Sequence, residues 1–430
     1  MSIFNQLAPT PPLGWNSWDC FGTSVREDEV KANADYMAAH LARYGWQYIV
    51  VDIQWYEPNA QAGGYRPNAE LVMDDYGRLM PATNRFPSAA NGAGFNPLAD
   101  YVHSKGLKFG IHILRGIPRQ AVRLNLPIMS TSFHAQDIAD LTKNSPWIDD
   151  MYGIDTSKPG AAAYYESIVA LYASWGVDYI KADDILWPYH QNEIELLSRA
   201  VQNADRAMVL SLSPGVELSV DHADHLQQHA ELWRISADFW DRWVDLKAQF
   251  DLCKHWESYI RSNAWPDADM LPLGHIGIRA ERGIDRQSLL TPDEQITLMT
   301  LWAMFRSPLM FGGDLPSSDP FTLGLLTNEA VLRINQASQH NHELLRQGDY
   351  IVWVADDSTS SDKYLAIFNI GEDEMASIAI DWLLLDDRPS GDTAYEIHDL
   401  WDQTEPVIVK NRFQQQVKPH GAKLYRMRAI

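Results

Sequence analysis

Short runs of β-branched and aromatic residues recur along most of the chain, and each is stopped by a polar or charged residue. Apolar positions at helical spacing fill many of the intervals between them. The run over 177–180 follows Gly176 and stops at Lys181-Ala182-Asp183-Asp184; that over 48–51 ends at Asp52. Further strands are expected over 107–113, with His112 and Arg115 near its end, over 208–212 ahead of the turn Ser213-Pro214-Gly215, and over 232–234. Others fall near residues 13, 266 and 310, which makes eight in all. Helices are expected over 27–44, 97–105, 161–175, 193–203, 244–260 and 292–305. Strand and helix in alternation are the rhythm of a (β/α)8 TIM barrel, assigned to residues 1–330. From about Leu344 the texture changes to short strands, such as 350–355 and 364–369, separated by Asp/Ser/Gly turns. Residues 331–430 are therefore expected to form a C-terminal antiparallel β-sandwich. A Pro-, Gly- and Asn-rich loop over 57–96 is long enough to roof a pocket, and 116–155 reads as an irregular insertion.

Composition narrows the function classes. With 430 residues, 46% hydrophobic and 21% charged, the chain has material for a large core. A formal net charge of −22 with scattered basic residues opposes nucleic acid and anionic lipid as partners. Sixteen tryptophans, many near strand ends, supply flat walls suited to sugar rings, so a small carbohydrate is the expected partner. Cys20 and Cys253 are too few for a disulfide framework and read as free thiols. Residues 1–10 carry no basic segment followed by an apolar core, and no apolar run approaches the ~20 residues needed to cross a bilayer. A cytoplasmic protein is expected, with its oligomeric state open.

Side chains alternate along a strand, so Lys181 and Asp183 point to one side and share a pocket. Taken alone, this pair fits a surface ion pair as well as a functional site. On a barrel, however, Asp52, Lys181, Asp183, Arg234, Asp238 and Asp269 all fall at or just after strand C-terminal ends and converge on one mouth. Retaining glycoside hydrolysis needs two carboxyl groups about 5 to 5.5 Å apart, one a nucleophile and one a proton donor. Asp183 and Asp238 are the expected pair. Lys181 keeps Asp183 ionised, while burial and a negative neighbour keep Asp238 protonated. Two other chemistries share these residues: a Schiff-base lyase through Lys181, and a magnesium site of enolase type. A sugar-binding protein without turnover is a third reading. Asp269 reads as a brace and Asp184 as solvent-facing or a helix cap. His222, His225 and His229 lie at helical spacing without a supporting carboxylate pattern, so they read as partly exposed helix residues, and no metal or cofactor is assigned. The acidic runs at 356–357 and 385–387 read as solvated turns.

Five motifs in order carry a resemblance: Gly14-Trp15-Asn16-Ser17-Trp18, Val51-Asp52 with Trp55, Gly106-Leu107-Lys108-Phe109-Gly110-Ile111, Tyr179-Ile180-Lys181-Ala182-Asp183 and Asp267-Ala268-Asp269-Met270-Leu271. The chain resembles glycoside hydrolase family 27, the α-galactosidases and α-N-acetylgalactosaminidases, over roughly residues 10 to 325, and the family's C-terminal sandwich suits the remainder. The resemblance implies a retaining, metal-free double displacement that removes terminal α-linked galactose-type residues through a glycosyl-Asp183 intermediate, with Asp238 as acid/base. It also implies that Trp15 walls the sugar and that Asp52, Lys181 and Arg234 bind hydroxyls. Three departures stand out. Ile53 occupies the place of a second acid that, beside the one matched by Asp52, holds the 4- and 6-hydroxyls, so either the sugar's outer rim is held differently or the preferred sugar lacks or modifies that group. Ser213 stands where galactosidases place a Glu and N-acetylgalactosaminidases a Ser, although Val216 does not complete the latter pattern. Gln54 and Ile185 stand where secreted members often have Cys, in keeping with an intracellular enzyme. The α-N-acetylgalactosaminidases and the β-L-arabinopyranosidases are therefore alternatives on the same scaffold.

Overall fold

The computed structural model describes residues 7–372, 378–385, 394–402 and 404–430. The start of the chain and Asp386 and Asp387 of the acidic run at 385–387 lie outside the described residues. The chain divides into two compact units: 1–238 with 261–287 and 309–319, and 239–260 with 288–308 and 320–430.

The first unit is built on eight parallel strands: β1 (Leu13–Asn16), β2 (Tyr48–Val51), β3 (Lys108–Leu114), β4 (Tyr179–Asp183), β5 (Val209–Leu212), β6 (Leu232–Arg234), β7 (Trp265–Asp267) and β8 (Leu309–Phe311). Each pairs with its sequence neighbour, and β8 returns to β1 with Leu309 beside Leu13. The circle closes just beyond β7: Leu271 bridges Phe311, its N–H donating to the Met310 carbonyl at 2.8 Å. A closed parallel sheet is covered on both faces, which is why β2 reads Tyr-Ile-Val-Val with every residue buried.

Helices α1 (Glu27–Tyr36), α2 (Asn96–Ser104), α3 (Pro159–Ser174), α4 (Gln191–Asn203) and α5 (Ala223–His229) alternate with these strands. Proline at the start of α2 and α3 presets the first turn and loses no hydrogen bond there. Past Tyr36 the expected long helix changes to a π turn over Met37–Leu41 and a 3-10 turn over Ala42–Tyr44, then ends at Gly45 with φ of 99°. The segment 116–155, expected to be irregular, contains a three-stranded antiparallel sheet of Ile117–Pro118, Ala139–Asn144 and Met151–Ile154.

In the second unit a six-stranded antiparallel sheet faces a two-stranded one. Between them pack Val352, Leu365, Ile367, Ile378, Ile380, Trp382, Phe413 and Met427, a single apolar core of the sandwich type. Asp357, expected in a solvated turn, is instead buried at the end of the strand Tyr350–Asp357, where it accepts hydrogen bonds from Arg333 and Tyr364.

Candidate active site

The charged residues stand where the sequence pattern puts them, at the carboxyl ends of the strands. Asp52 follows β2, Lys181 and Asp183 lie within β4, Ser213 follows β5, Arg234 ends β6 and Asp238 stands four residues on. Strand register sets His112 of β3, Lys181 of β4 and Ser211 of β5 in one row. Gly215 brings the turn after Ser213 close to β6: a Cβ there would lie 2.1 Å from the Arg234 carbonyl oxygen.

Lys181 Nζ donates to Asp52 Oδ2 at 2.8 Å, and Asn16 Nδ2 donates to the same oxygen at 2.8 Å. Asp52 Oδ1 accepts the Ile53 backbone N–H at 2.8 Å. Burial opposes the charge on Asp52, but Lys181 and His112 hold its carboxyl below the usual range. Burial likewise opposes the Lys181 ammonium, and the carboxylates of Asp52 and Asp183 overcome it, holding the group well above the ordinary lysine range. Lys181 is thereby held as a fixed cation beside Asp52.

Asp183 Oδ2 accepts from His112 Nε2 at 3.1 Å, and its Oδ1 from the Asp184 backbone N–H at 2.8 Å. Against burial, the His112 hydrogen bond and charge, then Lys181, hold the carboxyl far below the usual carboxylate range. It is therefore ionised and anchored on both oxygens. Arg234 is the second fixed cation, its Nη2 at 2.9 Å from Asp238 Oδ1 and its Nη1 at 2.9 Å from Asp269 Oδ1. Asp269, at a φ of 85°, braces that guanidinium, and its own N–H donates to Asp267 Oδ1 at 2.8 Å.

The long loop after β2 carries Tyr65 to this cluster. Burial comes first in raising its phenol, and the charges of Glu281, Asp183, Asp52 and Asp238 add to the effect. Tyr65 stacks on Trp18 at 6.2 Å and tilts against Trp147 of the 116–155 segment at 5.3 Å.

Several expectations are corrected. Asp238 is not buried: its side chain is 44% exposed, and its neighbour is a cation, Arg234. Asp184 is not solvent-facing but buried against Arg115 at 3.1 Å, and burial pushes it up to about 6. Trp15 has no exposed surface, its indole N–H donating to the Gly313 carbonyl at 2.8 Å. Ser213 is fully buried, and its Oγ has no hydrogen-bond partner among the described residues. The partners that pattern reading did not assign are His112, Asn16, Trp18 and Tyr65. His112 was recoverable from the alternation of β3 beside β4, Tyr65 only from the folded loop.

A closed (β/α)8 barrel whose mouth gathers carboxylates and two fixed cations, followed by a β-sandwich, defines a barrel glycoside hydrolase. The family described as alpha galactosidase A matches residues 10–121 and 143–337, and the alpha galactosidase C-terminal beta sandwich domain matches 347–427. The chain belongs to glycoside hydrolase family 27. It is 29% identical to alpha-galactosidase 2 of Arabidopsis thaliana, over 99% of this chain and 91% of that one. Among solved structures, a family 27 β-L-arabinopyranosidase from Geobacillus stearothermophilus is 49% identical with a TM-score of 0.95, covering 99% of this chain and 98% of that one. An aspartate-to-alanine variant of that enzyme has been solved in complex with arabinose. A putative alpha-N-acetylgalactosaminidase from Bacillus halodurans is 46% identical with a TM-score of 0.85, covering 97% and 96% of the two chains. The protein is an O-glycosyl hydrolase. No helix among the described residues is long and apolar enough to cross a membrane.

Proposed function

We propose that this protein is a retaining glycosidase that prefers terminal β-L-arabinopyranosides, accepts α-D-galactosides more weakly, and works through Asp183 as nucleophile and Asp238 as acid/base. The observation that carries the choice of sugar is Ile53, 2% exposed and directly after Asp52. β-L-Arabinopyranose is α-D-galactopyranose without its hydroxymethyl group. An aliphatic side chain at that rim offers no hydrogen bond to a 6-hydroxyl and leaves one desolvated and unpaired. The 49% identical arabinopyranosidase supports the same reading.

In the first step an Asp183 carboxylate oxygen attacks the anomeric carbon as the glycosidic bond breaks, and Asp238 gives its proton to the departing oxygen. In the second, Asp238 takes a proton from water, the water oxygen attacks the same carbon, and Asp183 leaves with its electron pair. Asp52, Lys181 and Arg234 bind ring hydroxyls, while Trp15 and Ser213, both buried, back the walls behind the sugar and on the side of its 2-position. The functional division remains a catalytic barrel over 1–330 and a sandwich over 331–430. An intracellular role in carbohydrate metabolism accords with Cys20 and Cys253 both being free thiols.

Kinetics on aryl β-L-arabinopyranoside, α-D-galactoside and α-N-acetylgalactosaminide test the assignment. The first should have the highest kcat/KM, and Ile53→Asp should shift the ratio toward the galactoside by about tenfold or more. A wild-type preference for the galactoside that Ile53→Asp leaves unchanged would remove the arabinopyranoside reading. Preference for the third substrate would favour the N-acetylgalactosaminidase reading, for which the small Ser213 speaks.

A further inference from the structure

Away from the mouth, α4 and α5 bring three ligating side chains together. His225 and His229 are four residues apart on α5 and so share one face, and Glu195 reaches them from α4. One ligating atom from each lies within 4.8 Å of the other two. The structure thus provides the carboxylate that the His222, His225, His229 spacing alone lacked.

Two observations point to a ligand beyond an ordinary ion pair. His229 Nδ1 is buried and has no hydrogen-bond partner among the described residues. An orphaned buried nitrogen is costly unless something coordinates it. Second, His225 Nε2 stands 3.4 Å from Glu195 Oε1. Two donors on one tetrahedral zinc, each at about 2.0 to 2.1 Å, are separated by about 3.4 Å.

We propose that Glu195, His225 and His229 form a binding site for a borderline divalent transition metal such as Zn2+, which fastens α5 to α4. Water takes the fourth position, since these side chains are partly exposed. Tyr189 is the supporting partner: its hydroxyl lies 2.6 Å from His225 Nδ1. Accepting the Nδ1–H there leaves the lone pair of Nε2 for the metal. The Tyr189 ring is itself held by stacking on His222 at 3.7 Å. Gln191 Nε2 donates to Glu195 Oε1 at 3.1 Å and orients the carboxylate.

The test is zinc retention by the full chain, stripped with chelator, incubated with ZnCl2, desalted and analysed by elemental mass spectrometry, alongside its thermal midpoint. Wild type should keep one ion per chain and gain a higher Tm with zinc. The double variant His225→Ala/His229→Ala should lose both effects while hydrolysing aryl glycosides as wild type does. Glu195→Gln is the milder variant should the double one fold poorly, and Tyr189→Phe should weaken binding about tenfold or more. A wild-type chain that keeps no zinc, or variants that keep as much as wild type with the same Tm gain, would overturn the proposal.

Discussion

His112 sets the charge state of Asp183 from a position with no exposed surface, through a hydrogen bond at 3.1 Å. His112→Phe removes the donor, so the Asp183 carboxyl should rise from its depressed value. A nucleophile is needed in ionised form, so the acidic limb of kcat/KM should move to higher pH, measured as a pH–rate profile. In the proposed mechanism Asp238 serves the other half of the reaction. Asp238→Ala should slow substrates with poor leaving groups far more than aryl glycosides with acidic ones, and equal losses on both would remove it from the proton-donor role. At this scale the sequence showed what alternation shows. Lys181 and Asp183 are two apart on one strand and read as a pair, whereas His112 acts across strands and needs the register of β3 against β4. The burial expected of Asp238 failed because its segment beyond β6 turns outward, leaving the side chain 44% exposed.

The strands were legible as elements because each is a short apolar run cut off by a charge, a polar residue or glycine. All eight appear where those runs lie. The three-stranded sheet within 116–155 was not, since Ala139–Asn144 has no buried residue and so lacks the apolar alternation that marks a strand. Elements also carry the pH dependence of stability. Asp267 ends β7, where burial, then Asp269, pushes its carboxyl up to about 6. Such a group holds its proton more tightly folded than unfolded. Its ionisation therefore costs stability that is absent below the unfolded value of about 4 and fully felt above about 6. Asp267→Asn should raise the thermal midpoint at pH 7 to 8, and the gain should shrink as pH falls toward 4. A gain that grows on acidification would contradict this sign.

Across the whole molecule, a net charge of −22 leaves the mouth of the barrel dependent on two cations, Lys181 and Arg234, held within a ring of acids. The barrel and sandwich, the family and the hydrolytic class were legible from motif order. The path of the loop that brings Tyr65 to the acids was not, because long loops carry little periodic signal. The central claim is that Asp183 becomes covalently bound to the sugar. Its most direct test is mass spectrometry of the protein after reaction with an activated 2-deoxy-2-fluoro-β-L-arabinopyranoside, whose fluorine slows the second step. A single glycosyl adduct on the peptide containing Asp183, absent in Asp183→Ala, is the expected result; turnover with no adduct, or an adduct on Asp238, would contradict it.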